Sequence, residues 1–161
     1  MEKILRKVYS SKKINLTLKT VSYLSAIAGA FAFVGIVIYS YFNHPLSYSV
    51  KMVFAAAVPF VIVSIFRKMI NAPRPYELYD FYEKKPKDKK GQSFPSRHVF
   101  SAFVIATLSS LVSVPLAAAL AVLALSLAVA RVLLGMHFIR DVAAGAIIGI
   151  LSGVLGIVII L

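Results

Sequence analysis

The sequence predicts an all-α transmembrane bundle of five spans in one domain, preceded by an N-terminal amphipathic helix lying at the membrane interface. Three observations carry this expectation. The chain is 60% hydrophobic with a mean hydropathy of +0.85, against roughly 45–50% apolar residues in soluble domains. Its apolar residues form long blocks without Asp, Glu, Lys or Arg, at 20–50, 99–130 and 142–161. Each block reaches the ~20 residues that cross a hydrocarbon core. The basic residues flank these blocks, and 161 residues leave room for one domain.

The elements follow in order. Residues 1–19 mix six basic positions with Ile4, Leu5, Val8, Ile14, Leu16 and Leu18, the pattern of a short interfacial helix. The first span covers about 20–41, and Asn43, His44 and Pro45 turn the chain. No secretory signal peptide is expected, because the first apolar block exceeds an h-region of about 7–15 residues. The second span runs over about 46–66, with Lys51 near enough to its start to snorkel. Residues 67–95 form the one long polar loop; in it Tyr76, Tyr79, Phe81 and Tyr82 read as an aromatic interface belt.

The block at 99–130 needs dividing. As one helix its 32 residues would measure about 48 Å at ~1.5 Å per residue, against a core of about 30 Å. Pro115 and the serines before it break such a helix, so two spans joined at Ser113, Val114 and Pro115 are expected. The fifth span covers 142–161. Gly145, Gly149 and Gly153 recur on it every fourth residue, a face for close helix packing inside the protein or, as a second use, for a homo-oligomer.

A net charge of +12 would suggest nucleic acid as the partner of a soluble chain. Here the charges stand at the ends of apolar blocks, six within 1–19 and nine within 67–97. A lipid bilayer with phosphate headgroups is the expected partner, and nucleic acid is not. The absence of cysteine excludes disulfides, thiolate metal sites and a cysteine nucleophile.

With the 99–130 block folded as a hairpin, three polar clusters reach one membrane face: Arg67 to Arg74, Ser96-Arg97-His98, and Arg131 to Asp141. Ionisable groups against spans are functional suspects by default. Many cations among only three candidate ligands, His98, His137 and Asp141, do not make a metal site. Guanidinium forks suit phosphate oxygens. Ser96, after Pro95 and before an apolar run, stands as an N-cap where backbone N–H groups bind anions. His137 and Asp141 are four apart and share a face if helical, so the carboxylate can hold one imidazole nitrogen and leave the other nucleophilic. His98 can supply a proton to the leaving oxygen. This is a phosphoryl-transfer constellation needing no cofactor.

In order, these residues resemble the three signature motifs of the type 2 phosphatidic acid phosphatase and vanadium haloperoxidase superfamily. Lys-x6-Arg-Pro is matched by Arg67-x6-Arg74-Pro75, with Lys68 as a one-residue alternative to Arg67. Pro-Ser-Gly-His is matched by Pro95-Ser96-Arg97-His98, and Ser-Arg-x5-His-x3-Asp by Ala130-Arg131-x5-His137-x3-Asp141. The resemblance implies a helical bundle, a phosphohistidine on His137, His98 as acid, and phosphate held by Arg67, Arg74, Ser96 and Arg131. Arg97, standing for glycine, adds a side-chain contact to a larger or doubly phosphorylated headgroup. The family core has six spans where this sequence reads five.

The function expected is metal-independent hydrolysis of a lipid phosphate monoester or diphosphate: phosphatidic acid, phosphatidylglycerophosphate or polyprenyl diphosphate. The alternative is a transporter or channel that binds phosphate-bearing molecules without hydrolysis, which would need no nucleophile. The distribution of Lys and Arg, dense in 1–19 and 67–97 and absent from the turns at 43–46 and 113–115, places the active site on the cytoplasmic face.

Overall fold

The computed structural model describes residues 1–81 and 90–161. The described residues form seven α-helices and one 3-10 turn, with no strand: α1 Glu2–Ser10, α2 Lys12–Asn43, α3 Leu46–Ile70, α4 Pro75–Leu78, α5 Arg97–Leu108, the turn Ser109–Leu111, α6 Val114–Leu133 and α7 Ile139–Ile160. Four of them, α2, α3, α6 and α7, are long and apolar enough to cross a membrane. The fifth apolar segment, α5 with its 3-10 turn, is shorter.

The hairpin between α5 and α6 forms where the sequence predicts it. Ser113 is the N-cap of α6, its hydroxyl accepting the Leu116 N–H at 3.4 Å, and Pro115 sits in the first turn, where its missing N–H costs nothing. The N-terminal segment differs from expectation. Instead of one short helix over 1–19, the chain breaks at Ser11, which caps α2 by accepting the Ile14 N–H. Residues 12–19 therefore continue into the first span. At ~1.5 Å per residue its 32 residues reach about 48 Å, so its basic first turns extend beyond a core of about 30 Å.

The short helix is the central one. α5 packs against α2, α3, α6 and α7, and these four touch in sequence around it, α2 on α3, α3 on α7, α7 on α6 and α6 on α2. Val99, Phe100, Phe103, Val104, Ala106 and Leu108 of α5 are all buried. Enclosure by four long helices spares α5 from having to match the bilayer thickness itself.

Lipid is as apolar as leucine, so spans associate through close packing. The glycines of α7 show how. A Cβ at Gly145 would stand 2.7 Å from the Ser96 carbonyl oxygen, and one at Gly149 would stand 2.6 Å from that of Phe100. Gly153 lies against Thr107 and Gly156 against Ala55. The Gly145, Gly149 and Gly153 face thus packs against α5. The backbone of α7 is drawn onto the start of α5, and that contact builds the site.

Candidate active site

The C-terminal end of α3, the start of α5, the end of α6 and the start of α7 meet at one end of the bundle. Arg67, Arg74, Ser96, Arg131, His137 and Asp141 are all buried there. The Ser96 N–H donates to the Asp141 carbonyl at 2.8 Å, tying the first turn of α5 to that of α7.

Arg67 turns inward while Lys68, its one-residue alternative, is exposed. The Arg67 guanidinium donates to the carbonyls of Pro95 and Gln92, bracing the segment that leads into α5. Arg74 Nε donates to Gly91 O at 2.9 Å, and its terminal nitrogens reach Met136 O at 3.3 Å and Gln92 O at 3.4 Å. Arg131 Nη1 contacts Met136 Sδ at 3.3 Å, and its Nε has no protein partner. Ser96 occupies the N-cap of α5 but its hydroxyl caps nothing, and Oγ is buried without a partner. Two buried donors of the site are thus left unmatched by the protein, which is costly, and Asp141 Oδ1 is likewise buried without a hydrogen-bond partner.

His137 precedes α7, which begins at Ile139, so the shared helical face expected of His137 and Asp141 does not exist. His137 Nδ1 lies 2.9 Å from the Ser93 carbonyl oxygen, and 3.8 Å from Asp141 Oδ2. A carbonyl oxygen can only accept, which assigns the hydrogen to Nδ1 and leaves the Nε2 lone pair available. Ser93 Oγ in turn donates to Asp141 Oδ2 at 2.5 Å, and the Phe138 N–H donates to the same oxygen at 2.9 Å. Asp141 therefore caps α7 and fixes Ser93, and Ser93 orients the imidazole. Burial is the main force on the His137 pKa, with the positive Arg74 and Arg67 adding to it and Asp141 opposing it. The result is pushed down to about 4, which keeps the ring neutral at physiological pH.

Ser93 is a site residue that sequence reasoning missed; a serine in a Gly-Gln-Ser-Phe-Pro loop carries no motif signal of its own. Two expected residues are less buried than this group. His98 is exposed on the first turn of α5. Arg97 stacks its guanidinium 5.1 Å above the Phe60 ring, in a cleft of about 240 Å³ bounded by Gly29, Phe60, His98 and Ile105. Its side chain is half-buried there, and its charge is still felt by Arg67. The expected aromatic belt is also corrected. Tyr76 and Phe81 are buried with Leu5, because α1 folds over them; Tyr79 packs edge-on to Phe138. Tyr82 lies outside the described residues, as do residues 84–89 of the Lys-rich run.

Residues 46–160 match the model of the PAP2 superfamily. The chain belongs to the PAP2 superfamily. It is a membrane lipid phosphatase, a hydrolase embedded by its apolar helices. Among solved structures it resembles Aquifex aeolicus LpxE, with 25% identity and a TM-score of 0.73 over 96% of this chain and 93% of that one. It also resembles a transmembrane PAP2 type phosphatidylglycerolphosphate phosphatase from Bacillus subtilis, with 20% identity and a TM-score of 0.75 over 98% of this chain and 83% of that one. No curated protein matches the sequence.

Proposed function

We propose that this single domain hydrolyses a phosphate monoester or diphosphate on a membrane lipid through a phosphohistidine on His137, without a metal. The observation that carries the reading is the pair of orphaned donors, Ser96 Oγ and Arg131 Nε, buried beside Arg67, Arg74 and a neutral imidazole. Phosphate oxygens satisfy both donors, and the arginines supply the charge stabilisation that a metal ion provides elsewhere. His137 Nε2 attacks phosphorus, the phosphorus–oxygen bond to the lipid breaks, and His98 protonates the departing oxygen. Water then cleaves the phosphorus–nitrogen bond, releasing inorganic phosphate and restoring the imidazole. Transport without hydrolysis would use neither the oriented imidazole nor its Ser93–Asp141 support.

The substrate candidates remain phosphatidic acid, phosphatidylglycerophosphate and polyprenyl diphosphate. Arg97 and His98 line the cleft between α2, α3 and α5, so Arg97 is suited to a headgroup or second phosphate approaching from that side. We take α5 as a fifth, enclosed crossing and α1 as lying in the interface. The basic N-terminal segment and the loop after α3 support a site on the cytoplasmic face under the positive-inside rule. Phosphate release from these purified lipids in detergent with EDTA tests the function: turnover is expected, and strict dependence on added Mg²⁺ would overturn it.

A further inference from the structure

The segment 134–137 joins α6 to the imidazole, and what holds it comes partly from the other end of the chain. An α-helix leaves its last carbonyls without intrahelical partners. The carbonyl of Leu134, a fully buried residue that caps α6, accepts a hydrogen bond from the Tyr9 hydroxyl of α1 at 3.1 Å. The Tyr9 ring meets Phe81 edge-on, with centroids 5.1 Å apart. Phe81 lies directly against Gly135 at a φ of +64°, where a Cβ would stand 2.4 Å from the Phe81 ring, and the left-handed backbone favours glycine. Leu5, 1% exposed, seals the same cluster with Tyr76.

The pinned segment then meets the site at every following position. The Gly135 carbonyl accepts the Tyr76 N–H at 3.3 Å. The Met136 carbonyl accepts from Arg74 and its sulfur meets Arg131. His137 comes next. A displacement at Leu134 is therefore passed to two phosphate-facing arginines and to the nucleophile together. Tyr9 lies outside the segment matched by the superfamily.

We propose that Tyr9 of α1 is a positioning residue for the reaction, holding the Leu134–His137 segment so that the imidazole and Arg74 share one register. The proposal rests on His137 as the nucleophile. It acts through placement, so it governs the rate of phosphoryl transfer more than substrate affinity.

Tyr9→Phe in the full chain is the test, because it keeps the ring packing on Phe81 and removes only the hydroxyl. About a ten-fold fall in kcat is expected with KM within two-fold, short of the roughly hundredfold that a 1 Å misplacement costs. Hydrogen exchange of the amides at 134–137 is expected to speed up in the same variant. Unchanged kcat and unchanged exchange would overturn the proposal, as would a raised KM with kcat intact. If the wild-type protein releases no phosphate from lipid, the phosphatase reading fails on its own. Exchange still decides the proposal then: faster exchange in Tyr9→Phe supports the positioning contact, and unchanged exchange removes it.

Discussion

The Asp141 carboxylate and the His137 imidazole stand 3.8 Å apart at their nearest oxygen and nitrogen, and Ser93 occupies the space between their functions. Its hydroxyl binds the carboxylate and its carbonyl takes the imidazole hydrogen. Besides facing the imidazole directly, the carboxylate therefore orients the nucleophile through a third residue, an arrangement familiar where an outer partner sets the tautomer of an inner one.

Ser93→Ala is expected to lower kcat by about ten- to a hundred-fold, the range for losing one hydrogen bond to a charged group. The carbonyl that fixes the tautomer survives the change, so some activity should remain. Steady-state phosphate release measures it. A wild-type rate would show that Asp141 needs no intermediary.

Acid tolerance follows from the low His137 pKa. The ring must be neutral to attack, and burial with Arg74 and Arg67 nearby holds its pKa at about 4. As pH falls, kcat/KM should show no His137 limb near the ordinary value of about 6.5 and should drop as pH passes below about 4. The same shift weakens the fold in acid. The unfolded ring takes a proton near 6.5 and the folded one does not, so stability contributed by the neutral form is lost as pH falls from that value to about 4. A limb that follows His137 and lies near neutrality would contradict the burial.

Much of this site could be read from sequence because the motif residues sit at helix ends, and folding 99–130 as a hairpin was enough to bring those ends together. Arg67, Arg74, Ser96, Arg131, His137 and Asp141 converge for that reason. What escaped depends on contacts distant in sequence or on exact helix starts. Helical spacing suggested the His137–Asp141 pair, which stands at 3.8 Å, but α7 begins two residues after His137, and the shorter contact of the imidazole, to the Ser93 carbonyl, could not be read from spacing. Tyr76 and Phe81 looked like interfacial aromatics because nothing local reveals that Leu5 and Tyr9 cover them. The break at Ser11 was hidden because basic and apolar residues alternate on both sides of it.

The helix contact behind the site can be tested apart from chemistry. Gly149→Ala places a methyl 2.6 Å from the Phe100 carbonyl oxygen, and overpacking of that kind costs about 1–3 kcal/mol. Gly29→Ala meets nothing within 4 Å and should be neutral or slightly stabilising through helix propensity. Thermal unfolding in detergent compares them, and equal melting temperatures would contradict the packing of α7 on α5.

Sidedness has its own test. The chain has no cysteine, so Lys90→Cys, at an exposed position beside the site, is a single label target. An impermeant maleimide applied to intact cells should leave it unlabelled until the membrane is opened. Strong labelling from outside would place the site on the outer face.

The central claim is that phosphate passes through His137. The most direct measurement is rapid quenching of the His98→Ala protein with a ³²P-labelled lipid phosphate in EDTA, followed by mapping of the labelled peptide. An acid-labile phosphohistidine at His137, lost together with turnover in His137→Ala, is the result predicted here. Phosphate release by His137→Ala near the wild-type rate would contradict it.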